Sequence, residues 1–75
     1  MSPRLPRVTA REIAAALKRS GFSFARQSGS HAIYINTAGK RVTVPVHAGK
    51  ILHPKVLKSI LKDARLSVDE LNELL

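Results

Sequence analysis

The sequence predicts a small α+β domain: a three-stranded antiparallel sheet covered on one face by two helices, with a short third helix at the C-terminal end. Three observations carry that reading. Two capping boxes, Thr9-Ala10-Arg11-Glu12 and Ser67-Val68-Asp69-Glu70, open helical patterns. Three short segments between residues 22 and 46 alternate apolar and polar side chains. Ser28-Gly29 and Ala38-Gly39 stand between those segments as turn signals.

Taken in order, Pro3 and Pro6 mark residues 1–8 as an extended, flexible basic arm carrying Arg4 and Arg7, ahead of one domain over 9–75. In the first capping box the Thr9 hydroxyl can accept from the Glu12 N–H while the carboxylate reaches back. Ile13, Ala16 and Leu17 then recur at helical spacing, Lys18 and Arg19 suit a last turn, and Gly21 can stop it, which sets helix one at about 10–20. Phe22 and Phe24, then Ile33 and Ile35, then Val42, Val44 and Val46 mark three strands. Residues 47–53 read as a loop. Pro54 suits the first turn of helix two, with Val56, Leu57, Ile60, Leu61 and Ala64 as its apolar stripe and Lys55, Lys58 and Lys62 as a basic one. Val68, Leu71, Leu74 and Leu75 belong to the short third helix.

Two-residue turns at Ser28-Gly29 and Ala38-Gly39 give a definite register. The first pairs Phe24 with Ile33 and Phe22 with Ile35; the second pairs Ile35 with Val42 and Ile33 with Val44. All seven apolar strand residues then share one face, and Pro45 falls on an edge strand, where its missing N–H is tolerated. The same register pairs Arg26 with His31, and His31 with Val46, on the core-side face at one end of the sheet. The starts of both helices, with Arg7, Arg11, Lys50 and Lys55, are expected at that end. Two helix N-termini with free N–H groups and several basic side chains form a candidate phosphate site.

Composition narrows the function. The chain has 75 residues and no cysteine, so a disulfide or thiolate metal site is excluded. It carries thirteen Lys and Arg against five Asp and Glu, a net charge of +8. The excess lies in residues 1–50, where Glu12 is the sole acid, while residues 51–75 balance four of each sign. Such a basic domain points to a polyanion, nucleic acid first and an anionic membrane surface second. Hydrolytic Mg²⁺ sites need convergent carboxylates, and the acids here are scattered, so no metal or small-molecule cofactor is expected. With no long apolar run and no signal-peptide core, a soluble, cytoplasmic protein without membrane contact is expected.

Within that frame His31 is the candidate catalytic residue. RNA can be cleaved without metal when the 2′-hydroxyl attacks the adjacent phosphorus, and a group titrating near neutral pH moves the proton. Histidine is the side chain suited to that task. The competing reading makes His31 a hydrogen-bonded residue at the rim of the core. His47 and His53 read as solvent-facing loop residues, since the three histidines match no ligand spacing. The Lys55, Lys58 and Lys62 stripe reads either as a solvated helix face or as a track for a duplex backbone. Tyr34 is placed on the exposed face, where it could stack a base.

These residues resemble the HicA family of toxins from bacterial and archaeal toxin–antitoxin pairs. The pieces that carry the resemblance are Ile13 to Phe22, Arg26-Gln27-Ser28-Gly29-Ser30-His31, Arg41 to His47 and Leu57 to Ala64, spanning Ala10 to about Leu71. It implies a double-stranded-RNA-binding-domain-like α-β-β-β-α fold and an mRNA-cleaving activity that arrests translation. It also implies a catalytic histidine at the Gly-Ser-His position, His31, and a HicB-type antitoxin that masks the site. The chain departs from the family's pattern at His53-Pro54, where a glycine is common, near Leu71, where an aromatic is common, and in its proline-bearing arm. The leading expectation is an endoribonuclease acting on mRNA through His31. Arg26, Gly29, Ser30, Arg11, Lys50 and Lys55 are its candidate RNA- or phosphate-binding residues. The alternative is a non-catalytic double-stranded-RNA-binding module working through Lys55, Lys58 and Lys62.

Overall fold

The computed structural model describes residues 4–75, and the start of the expected arm, residues 1–3, lies outside the described residues. The element order is α1 (Ala10–Arg19), β1 (Ser23–Ser28), β2 (His31–Ile35), β3 (Arg41–Pro45), α2 (Pro54–Ala64) and α3 (Val68–Leu74). This is the expected α-β-β-β-α order with its extra helix. The three strands form one antiparallel sheet in the order β1-β2-β3.

Local chemistry sets the helix ends. Thr9 and Glu12 close the first capping box in both directions, with the Thr9 N–H donating to the Glu12 carboxylate at 2.9 Å. Gly21, at φ +105°, turns the chain out of α1, and the Phe22 N–H donates to the Leu17 carbonyl at 2.9 Å. Pro54 opens α2, capped by His53, whose Nδ1 accepts from the Lys55 N–H at 3.1 Å. Arg65 ends that helix in the left-handed conformation, at φ 57°. Ser67 and Glu70 close the second capping box.

The register differs from the expected one, and both turns explain why. The β1–β2 turn is Gly29-Ser30, with Ser28 opposite His31 and Arg26 opposite Ile33. Gly29 takes the positive φ, 58°, at the first central position, the place of glycine in a Gly-X hairpin turn. Between β2 and β3 the loop is one residue longer than expected. The Asn36 carboxamide oxygen accepts from the Ala38 and Lys40 N–H groups, and Gly39 carries the positive φ. Val42 therefore sits opposite Tyr34, and Val44 opposite Ala32. The shift moves His31, Ile33 and Ile35 to the face away from the helices and brings Ala32 and Tyr34 into the core. The seven apolar strand residues do not share a face, and Tyr34 is buried rather than exposed. An irregularity between Phe24 and Arg26 leaves Ala25 as an extra residue. That bulge swings Phe24 onto the helix side, opposite Tyr34, while Arg26 and Ser28 stay on the open face.

The core lies between the sheet and the helices. Ile13 and Leu17 of α1, Leu57, Ile60 and Leu61 of α2, and Val42 and Val44 of β3 are buried together. Val8 is buried as well, its carbonyl accepting from the Leu52 N–H at 2.8 Å, and Leu5 packs against the same cluster. The third helix is part of this packing: Leu71 is fully buried, and Arg19 Nη1 donates to the Leu74 carbonyl at 2.6 Å. Leu71→Ala is therefore expected to lower unfolding free energy by about 2–4 kcal/mol in a urea titration. A loss under about 0.5 kcal/mol would mean that α3 is dispensable to the domain.

Candidate functional site

Ser28, His31 and Pro45 form the last cross-strand row at one end of the sheet, on the open face. Arg26, Ile33 and Thr43 form the next row on that same face. Arg26 and His31 are thus diagonal neighbours across β1 and β2, within reach of long side chains, rather than directly paired. His31 is exposed, as are Arg26, Ser28, Gly29 and Ser30. The expected pairing of His31 with Val46 on the core side is replaced by Pro45 opposite His31 on the outer side. The Val46 N–H instead donates to the Ser30 carbonyl at 2.6 Å, fastening the end of β3 to the Gly29-Ser30 turn.

Both helix starts meet near this end of the sheet. A bridge between Thr9 and Ile51, with the Leu52-to-Val8 hydrogen bond, ties the capping residue of α1 to the segment leading into α2. Arg11 in the first turn of α1, Lys50 in the loop and Lys55 in the first turn of α2 are all exposed. The sheet separates Arg11 from His31. Arg11 lines a groove of about 570 Å³ between α1 and the helix-side face of the sheet, together with Phe24, Gln27, Tyr34 and His47. The candidate residues therefore fall into two groups: His31, Arg26, Gly29 and Ser30 around the turn and open face, and Arg11, Lys50 and Lys55 along the helix starts.

Sequence reasoning missed Phe24 and Gln27. Alternation predicts Phe24 in the core, yet it is 50% exposed, its ring edge-on to Tyr34 at a centroid distance of 5.8 Å. Burial raises the Tyr34 phenol above its ordinary pKa, so it stays protonated and neutral. Gln27 Nε2 donates to the Gly29 carbonyl at 3.1 Å, tethering the groove side of β1 to the turn that carries His31. The signal for Phe24 was available only through the bulge, which alternation does not encode.

Among the described residues no group of three or more His, Cys, Asp or Glu lies close enough to hold a metal ion. Nor is any described helix long and apolar enough to cross a membrane. A family model described as "HicA toxin of bacterial toxin-antitoxin" matches residues 10–66, from the first residue of α1 to just past α2. No curated protein matches the chain.

Proposed function

Because this chain belongs to the HicA family of toxins of bacterial toxin–antitoxin pairs, we propose that it is an mRNA interferase whose catalytic residue is His31. The observation that carries the reading is the position of His31: exposed at the first residue of β2, beside a tight turn, with Arg26 on the same open face. An open, solvent-facing sheet surface admits a polymeric substrate that a closed pocket would not.

The reaction is an in-line displacement within the RNA. The ribose 2′-oxygen bonds to the adjacent phosphorus, the bond from phosphorus to the 5′-oxygen breaks, and the products are a 2′,3′-cyclic phosphate and a 5′-hydroxyl. His31 takes the proton from the 2′-hydroxyl or delivers one to the departing oxygen. The Arg26 guanidinium holds the phosphate that gains charge in the transition state. Gly29 supplies the positive φ that brings the backbone close to the substrate without a side chain in the way, and Ser30 can donate to a phosphate oxygen. Arg11, Lys50 and Lys55 hold flanking phosphates along the helix starts. The cellular partner is a HicB-type antitoxin that covers the His31 face.

Since no step uses a metal, cleavage of a single-stranded RNA by the purified protein is expected to run at the same rate in excess chelator. The measurement is the appearance of 5′-hydroxyl fragments with time. A rate that collapses in chelator and returns with Mg²⁺ would refute the mechanism.

A further inference from the structure

The groove on the helix side of the sheet has a composition that the His31 chemistry does not use. Its floor is made by small residues, among them Ala14 and Ala15 of α1 and Ala32 of β2, and one wall is the half-exposed ring of Phe24. Its charged lining is basic. Arg11 and Lys18 are seven residues apart on one side of α1, about 10 Å along the axis. His47 stands on the loop opposite, and no acid lines the groove among the described residues. Glu12, the neighbouring carboxylate, is engaged with the Thr9 cap. A volume of about 570 Å³ is in the range of sites that enclose a small organic group.

An exposed aromatic, an apolar floor and a basic rim match an unpaired nucleotide: a base has a flat apolar face, and its phosphates are anionic. Gln27 adds a polar edge. With one N–H committed to the Gly29 carbonyl, its side chain keeps an oxygen acceptor and a second N–H. The route into the groove is also open, because β1 is an edge strand and its residues are exposed. An RNA strand can pass from the His31 face across this edge. The extra residue Ala25 interrupts the β1 ladder, which disfavours a protein strand adding there and favours a ligand that needs no ladder.

We infer that this groove is a base-binding subsite for single-stranded RNA, with one unpaired base stacked on Phe24 and facing the Gln27 amide. Arg11, Lys18 and His47 hold the adjoining phosphates. The inference rests on the RNA-cleaving reading and adds to it a second contact point, on the opposite face of the sheet from the catalytic one. It makes Phe24 a determinant of RNA affinity without a role in proton transfer.

The test uses the full chain carrying His31→Ala, so that RNA is bound and not consumed, titrated into a fluorescent single-stranded oligoribonucleotide. Adding Phe24→Ala is expected to weaken binding roughly ten-fold, whereas adding Phe24→Trp preserves it. An oligonucleotide with abasic positions is expected to bind the parent and the Phe24→Ala protein alike. Arg11→Ala should reduce the slope of log affinity against log salt by about 0.7. Thermal unfolding of each variant establishes that it is folded. Full affinity in the Phe24→Ala protein overturns the subsite, and if that variant has lost the antitoxin instead, the groove is a protein dock. A parent that binds no RNA at low salt defeats the RNA-cleaving reading itself, and the subsite with it.

Discussion

The His31→Ala protein is expected to fold normally and to lose RNA cleavage by roughly a hundred- to ten-thousand-fold, the contribution of a well-placed proton-transfer group. Folding is spared because His31 is exposed on the open face, and exposed substitutions of this kind usually change stability by less than about 0.5 kcal/mol. In cells the variant should permit growth and leave mRNA intact, where the unaltered protein is expected to arrest growth and cut mRNA. In solution, the same preparation should give an unchanged circular dichroism spectrum and no cleavage products. The outcome separates two readings that share the same charge. A non-catalytic duplex-binding module working through the exposed Lys55, Lys58 and Lys62 would bind double-stranded RNA with a steep salt dependence and would be indifferent to His31→Ala. Cleavage that persists in the variant, with chelator present, would remove His31 from the reaction.

The helices were legible because their signals are local. Thr9 with Glu12, and Ser67 with Glu70, are three residues apart, and each capping box closes within a single turn. The strands were legible as segments for the same reason. Their register was not, because β2 is apolar on both of its faces. Ile33 and Ile35 form one parity set and Ala32 and Tyr34 the other, so alternation alone does not say which set meets the helices. The bulkier pair is the natural first choice. Three short-range features decide otherwise: glycine first in the Gly29-Ser30 turn, the Asn36 side chain lengthening the next loop, and the extra Ala25 in β1. The longer Asn36 loop and the extra Ala25 each move the pairing by one residue, which is enough to exchange faces, whereas the Gly29-Ser30 turn moves it by two. The candidate site survives the exchange in part. Arg26 and His31 remain on one face, since the turn between them shifts their pairing by two residues, but that face is the open one.

The same register makes a second large prediction, one in which two apolar residues of adjacent strands respond in opposite ways to the same charge. Val44 is 1% exposed and packs with Leu57 and Ile60 in the core, whereas Ile35 is 39% exposed on the open face. Val44→Asp places a carboxylate among the buried apolar side chains of the core, in addition to removing the buried valine. Together these should cost about 5 kcal/mol or more. A 75-residue domain has a total stability of roughly 4–11 kcal/mol, so the variant should be largely unfolded at ambient temperature. Ile35→Asp should remain folded. Its carboxylate would face water directly across from Arg41, an opposite-charge cross-strand pair that offsets part of the lost apolar contact. Urea unfolding of both variants, followed by circular dichroism in a His31→Ala background to avoid toxicity, reads the difference. Under the register with Ile33, Ile35, Val42 and Val44 all facing the helices, both substitutions would unfold the protein. Equal collapse of the two variants would therefore return His31 to the core side and remove the exposed surface on which the proposed RNA cleavage depends.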